Sequence, residues 1–266
     1  MDLLKSIILG VVEGITEYLP VSSTGHLIIF GEWISFNEQF AKVFDIFIQS
    51  GAILAALIVF WKDVLGFSSG AEKVFDNWKK LFVAFLPSAF VGLLLSDFIQ
   101  EKLFNSFTVA IALILGGAAI IFIDKKPVGK NTQEEKGIAV SYKQSLYVGL
   151  AQCLALVPGV SRSASTIIGG MLGGLNRKDA AKFSFLLAIP TLGAASVYSL
   201  FKHWSLVMSS APNIVLLACG FVSSFLVAYL VIRWFIYYLQ RNNFTIFGWY
   251  RIGLGLAILV GSLLLK

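Results

Sequence analysis

Leu19-Pro20-Val21-Ser22-Ser23-Thr24-Gly25-His26 and Val157-Pro158-Gly159-Val160-Ser161-Arg162-Ser163-Ala164-Ser165-Thr166 each cut a long apolar stretch in two. The stretches run from Leu3 to Ile29 and from Ser145 to Gly174. Proline stops the helix before it, and Ser or Thr caps the helix that follows. Each stretch is therefore expected to form two short helices around a polar corner. Broken backbone at membrane depth is tolerated only where protein or a water-filled cavity surrounds it. A pair of re-entrant hairpins is the expectation, and one kinked spanning helix apiece is the simpler alternative.

The surrounding sequence belongs to a membrane protein. The chain has 266 residues, 57% hydrophobic and 14% charged, with a mean hydropathy of +0.81. A soluble domain is nearer half apolar and a quarter charged. These figures exclude an ordinary soluble enzyme, a disordered chain, a disulfide scaffold and a nucleic-acid-binding domain. Cys153 and Cys219 both sit in apolar runs, which argues against a disulfide framework or a cysteine metal site. Asp2, Lys5, Glu13 and Glu17 spoil any reading of the N-terminus as a signal peptide. Apolar runs near 44–61, 81–98, 107–123, 183–201, 214–235 and 247–265 are each long enough to cross about 30 Å of hydrocarbon. The fold class expected is an all-α polytopic membrane protein with six transmembrane helices and two re-entrant hairpins, forming one domain over 1–266.

Shifting the chain by 139 positions aligns it with itself. Gly10 falls on Gly149, Glu13 on Gln152, Val21-Ser22 on Val160-Ser161, Gly31 on Gly170 and Leu115-Gly116 on Leu254-Gly255. Both broken stretches align in one register, giving repeats of about 1–124 and 140–266. Three crossings separate equivalent positions, so the second repeat should be inverted. Inverted repeats with interrupted segments place a site near the bilayer midplane.

Charge sets the orientation. The side holding the 62–80 loop collects 15 Lys and Arg residues, Arg251 among them, against 5 on the other side, with Arg162 set apart in the second hairpin. The positive-inside rule makes the richer side cytoplasmic. Both termini and the first hairpin then face outward, and the second hairpin enters from the cytoplasm. The charged run from Lys125 to Lys143 reads as a solvated cytoplasmic loop. Trp61, Trp78, Trp204 and Trp249 read as interfacial residues, and His203 as part of an outer loop.

Ionisable groups inside a membrane are costly and mark function. Glu13 and Glu17 are four apart and share a helix face. Such a pair repels unless a proton or cation lies between, and carboxylate oxygens suit Mg²⁺ or Ca²⁺. A protonated or solvent-facing Glu is the alternative. Ser22, Ser23 and Thr24 can cap the second short helix, which leaves His26 unexplained. Ser23 and His26, three apart, can meet as nucleophile and base. In the second corner, Gly159 lets backbone approach a ligand, and the helix start forms an anion site. Arg162 adds a planar fork that matches phosphate, unless its partner is Glu13 or Glu17 in a structural ion pair. Asp45 and Gln49, one turn apart, can line the cavity or lie at the interface. The substrate expected is a phosphate or diphosphate on a lipid tail.

The segments Glu13–His26 and Pro158–Thr166 resemble the two signature segments of the bacterial undecaprenyl-diphosphatase family, also called the bacitracin-resistance proteins. The resemblance covers essentially the whole chain. It implies hydrolysis of undecaprenyl diphosphate to the monophosphate and inorganic phosphate at the outer face of the plasma membrane, recycling the lipid carrier for wall synthesis. It also implies a divalent cation. By motif position, Glu13 and Glu17 form the acidic pair, Ser23 is the proposed nucleophile and His26 the acid/base, with a water activated by His26 as the alternative to attack by Ser23. Arg162 binds the diphosphate with Ser161, Ser163 and Thr166. Catalysis is therefore expected from Glu17, Ser23, His26 and Arg162. Substrate contacts are expected from Ser22, Thr24, Gly159, Ser161, Ser163 and Thr166, and cation binding from Glu13 and Glu17. Partners expected are the lipid substrate, membrane lipids and a second copy of the chain in a homodimer, with no nucleic acid. A secondary transporter or flippase for a prenyl phosphate is the rival reading, because inverted repeats are the usual transporter build.

Overall fold

The computed structural model describes residues 2–34, 36, 38–65, 71–125, 140–208 and 211–264. Every regular element among them is helical. In chain order they are α1 (Asp2–Thr16), α2 (Ser23–Ile34), α3 (Glu38–Val59), α4 (Trp61–Leu65), α5 (Ala71–Phe98), α6 (Ser106–Asp124), α7 (Tyr142–Gln152), α8 (Arg162–Leu172), α9 (Arg177–Lys202), α10 (Trp204–Met208), α11 (Ala211–Tyr238) and α12 (Thr245–Leu264). A π-helical turn, Ile99–Leu103, follows α5, and a 3₁₀ turn, Cys153–Leu156, follows α7.

Among the described residues, five helices are long and apolar enough to cross a membrane: α5, α6, α9, α11 and α12. The remaining expected run lies in α3, where only the shorter stretch Val43–Val59 is apolar. The polar residues Asp45 and Gln49 dilute its first half. Large side chains point outward from these helices, with Leu93 78%, Phe122 70%, Phe90 67% and Leu230 65% exposed. So extended an apolar surface fits lipid rather than water. The charged run 126–139 lies outside the described residues.

Both interrupted stretches are broken outright. Between α1 and α2, residues 17–22 form a turn, and between α7 and α8 the chain passes through the 3₁₀ turn and residues 157–161. The two corners share a backbone signature. Ser22 has φ 75° and Ser161 φ 76°, the only non-glycine residues with positive φ among those described. Each then caps the next helix, Ser22 Oγ accepting from the Gly25 amide (3.3 Å) and Ser161 Oγ from the Ala164 amide (3.2 Å). Both pairs of positions, Ser22 with Ser161 and Gly25 with Ala164, are 139 apart. Packing repeats too, since α1 lies along α11 and α7 along α5. Gly10 and Gly149 stand at these contacts, where a side chain would meet the backbone of Gly220 or Ala84. Such close backbone approach is how helices associate without a hydrophobic drive.

Several helix ends gather at one end of the bundle. Lys182 pairs with Asp63 (2.8 Å), Arg177 with Asp124 (2.6 Å), and the Tyr142 hydroxyl donates to Asp76 (2.6 Å). Asp124 also accepts from the Phe244 amide (2.7 Å), tying α6, α9 and the start of α12 together. Arg251, counted from sequence with the cations expected on the cytoplasmic side, does not belong to this set: its side chain is fully buried.

Candidate active site

The two corners meet inside the protein. Ser163 Oγ, one residue into α8, donates to the Leu19 carbonyl of the first corner (2.8 Å). Arg162, the first residue of α8, reaches across to α1's end, where its Nη2 donates to Glu17 Oε1 (2.6 Å). Ser23, the first residue of α2, donates from Oγ to the other oxygen, Glu17 Oε2 (2.6 Å). One buried carboxylate therefore joins the guanidinium to the hydroxyl. Glu17 is 5% and Ser23 6% exposed. In so dry a place, charge-assisted bonds are strong and expensive to break.

Arg162 is further fixed by Ser184 of α9. Its Nη1 donates to the Ser184 carbonyl (2.8 Å), and the Ser184 hydroxyl bonds to Thr166 Oγ1 (2.6 Å). The guanidinium also lies 5.6 Å from the centre of the Tyr18 ring. Its Nε, although buried, has no partner among the described residues.

Glu13 is the extreme case. It is fully buried in α1, one turn before Glu17, and neither carboxylate oxygen has a hydrogen-bond partner among the described residues. Its charged surroundings are Glu17, Asp45 and Arg162. An unpaired buried carboxylate is costly, and a divalent cation or a proton would relieve it. The donors fit a hard cation in chemistry. In number they supply less than a full shell, because no group of three or more His, Cys, Asp or Glu is arranged for metal binding among the described residues.

His26 does not pair with Ser23 as its spacing suggested. Its Nδ1 bonds back to the Ser22 carbonyl (2.7 Å), the helical i−4 acceptor, and its Nε2 meets the Tyr250 hydroxyl of α12 (2.7 Å). Ser23 lies at the helix start, and its hydroxyl turns to Glu17 instead. Thr24 is half-buried beside them. Ser161 Oγ and Ser163 Oγ bond each other (3.0 Å), and Thr166 also donates to the Arg162 carbonyl (2.8 Å). What Gly159 approaches is protein: with φ 92° it packs so closely on Val109 of α6 that a side chain would strike the Val109 carbonyl.

Two residues of α12 were not singled out from sequence. Tyr250 partners His26. Arg251 donates to the carbonyls of Pro20 (3.2 Å), Gly159 (2.9 Å) and Val160 (3.0 Å), so it clasps both corners at once. It also donates to Ala112 and Leu113 of α6. Gly116 makes room for it, since a side chain there would strike the guanidinium. The double glycine opposite an intramembrane Arg was the available signal.

The arrangement presents a hydroxyl beside a carboxylate, a guanidinium and the starts of two helices, enclosed by apolar helices. Residues 6–257 match the family model described as bacitracin resistance protein BacA. A protein of Methylobacillus flagellatus named undecaprenyl-diphosphatase is 47% identical, covering 97% of each chain. Another of that name from Nitrosomonas europaea is 45% identical over 97% of this chain and 94% of its own. A third, from Acinetobacter baumannii, is 41% identical over 98% and 96%. With its two corners in contact and its length matched almost end to end, the chain belongs to the bacitracin resistance protein BacA family.

Proposed function

We propose that the protein hydrolyses undecaprenyl diphosphate to undecaprenyl phosphate and inorganic phosphate in the bacterial inner membrane. The observation that carries this reading is Glu17, shared at 2.6 Å by the Ser23 hydroxyl and the Arg162 guanidinium. Family membership and the names of the relatives support it. Transport of a prenyl phosphate is not favoured, because those names are of a hydrolase.

In this reading the Ser23 hydroxyl attacks the terminal phosphorus and its proton passes to Glu17 Oε2, the base within reach. The Oγ–P bond forms, the bridging P–O bond breaks, and the lipid monophosphate leaves. Water then attacks the phosphoserine, releasing inorganic phosphate and restoring the hydroxyl. Arg162 and the start of α8 stabilise the phosphoryl oxygens. Ser161, Ser163 and Thr166 hold that helix start and Arg162 in place, while Ser22 and Thr24 support the start of α2. A Mg²⁺ or Ca²⁺, if bound, would be held by Glu13 and Glu17 and would neutralise phosphate charge.

The same reading includes the membrane arrangement. Six spans and two re-entrant hairpins form an inverted repeat over 1–124 and 140–266, with both termini and the site's opening on the outer side. The paired Ser22 and Ser161 backbones and the shared 139-residue offset support the repeat. The gathering of Asp63, Lys182, Asp124 and Arg177 at one end supports the assignment of that end to the cytoplasm. The test is phosphate release from undecaprenyl diphosphate by detergent-purified protein, with and without a chelator. Release that stops in the chelator and in a folded Arg162→Ala variant is expected. Undiminished release in either would overturn the proposed site.

A further inference from the structure

His26 sits in α2 with only 4% of its surface exposed, and both ring nitrogens are engaged. The Ser22 carbonyl can only accept, so Nδ1 carries the proton of the neutral ring. Nε2 is then the basic nitrogen, and it lies 2.7 Å from the Tyr250 hydroxyl, which must be the donor. The two rings lie nearly parallel, 5° apart with centroids separated by 5.7 Å. Tyr250 comes from α12, beside Arg251, which clasps both corners through Pro20, Gly159 and Val160. The phenol is thus anchored to the same frame that brings the corners together.

We propose that Tyr250 is a positioning residue for His26: its hydroxyl holds Nε2 on the α12 side of the site, away from Ser23, and covers it until a substrate group replaces it. A phenol suits this place because it serves both states of the ring. It donates to neutral Nε2 and accepts from Nε2–H once the imidazole gains a proton, so the ring keeps its orientation through a proton transfer. Tyr250 is 48% exposed, whereas His26 is not, so an approach to Nε2 passes the phenol. This account divides the chemistry. Glu17 serves the Ser23 hydroxyl, and His26 serves a proton at the other side of the phosphoryl group.

The consequence for turnover rests on the hydrolase reading; the contact does not. Tyr250→Phe keeps the stacked ring and removes only the hydroxyl. Diethyl pyrocarbonate acylates a free imidazole nitrogen, and peptide mass spectrometry distinguishes His26 from His203, the other histidine. His26 should be modified at least fivefold faster in Tyr250→Phe than in wild type, with His203 unchanged. Phosphate release should show kcat lowered about tenfold with KM within twofold, a fraction of the roughly 10²- to 10⁴-fold that acid–base catalysis supplies. On a His26→Asn background, Tyr250→Phe should lower kcat no further. Equal modification rates overturn the proposal, as does a kcat loss of the same size with and without His26. Should His26→Asn leave no turnover to measure, or wild type release no phosphate, the modification rates alone decide it.

Discussion

Glu13 and Gln152 stand at equivalent places in the two halves, each in the helix leading to its corner, yet their surroundings are opposite. Gln152 is fully satisfied: its amide donates to Ser88 Oγ (2.6 Å) and its carbonyl accepts from Thr191 Oγ1 (3.3 Å). Moved by the same 139 residues, those two partners become Val227 and Ala52, which offer Glu13 nothing. Glu13 is left fully buried with both oxygens unpartnered among the described residues. The next pairs diverge likewise, with Ser23 matching Arg162, His26 matching Ser165 and Asp45 matching Ser184. The two corners share a backbone signature at Ser22 and Ser161 but not the side chains around it. The first corner and its helices carry the acids, a hydroxyl and the imidazole, and the second carries the guanidinium and hydroxyls that brace it. The fold therefore satisfies Gln152 and leaves the Glu13 carboxylate unpartnered among the described residues.

That contrast can be broken at several points. The largest effect is expected at the bridge between the corners. Arg162→Ala should lower kcat/KM for undecaprenyl diphosphate by about 10⁴-fold, as loss of a phosphate-clamping Arg does, and leave Glu17 a buried carboxylate without its counter-charge, held only by Ser23; steady-state phosphate release reads the first and thermal unfolding in detergent the second. Ser23→Ala should lose about 10³-fold in kcat and abolish any acid-stable phosphoenzyme in single-turnover trapping. Full activity in this variant would remove Ser23 from the chemistry. Arg251→Ala removes a donor that five carbonyls share, three of them in the corners (Pro20, Gly159 and Val160), and should destabilise the protein by about 3 kcal/mol, each orphaned buried acceptor being worth roughly 1–3 kcal/mol before water enters. Differential scanning fluorimetry would show it, whereas a surface Arg in a cytoplasmic loop would shift nothing.

Exchanging the two halves' residues sharpens the comparison. Glu13→Gln should raise the melting temperature, by removing a buried charge, while reducing the response of phosphate release to added Mg²⁺. Gln152→Glu should do the reverse, destabilising by about 2 kcal/mol with little change in turnover per folded molecule. The smallest effect is expected at Ser161→Gly. It relieves a positive φ worth about 1 kcal/mol and loses a cap for which Gly is nearly as good, so stability should hold or rise by about 1 kcal/mol.

The corners, the apolar runs and the 139-residue offset were all legible from residue order, because Pro, Gly and clustered hydroxyls punctuate helices through local geometry alone. The pairing of Arg162 with Glu17 was legible only as the alternative to a phosphate ligand, which the neighbouring hydroxyls and Gly159 favoured. The partner of Ser23 was not legible. Spacing of three along a helix favours His26, but Ser23 is the first helical residue and faces the preceding turn, where Glu17 waits. Arg251 was misassigned for a similar reason. Lying near the start of an apolar run, it was counted with the cytoplasmic cations, yet its side chain is buried in the space that Gly116 leaves across the bundle. Tyr250 depends on that same inter-helix contact, which no local pattern encodes.

Glu17→Gln tests the shared carboxylate most directly, because it preserves shape and one acceptor while removing the base and the charge that pairs Arg162. With circular dichroism and elution unchanged, phosphate release from undecaprenyl diphosphate should fall about 10³-fold or more, the size of effect a lost base produces. Release within tenfold of wild type would contradict the assignment of Glu17 as the group that joins the two corners and takes the Ser23 proton.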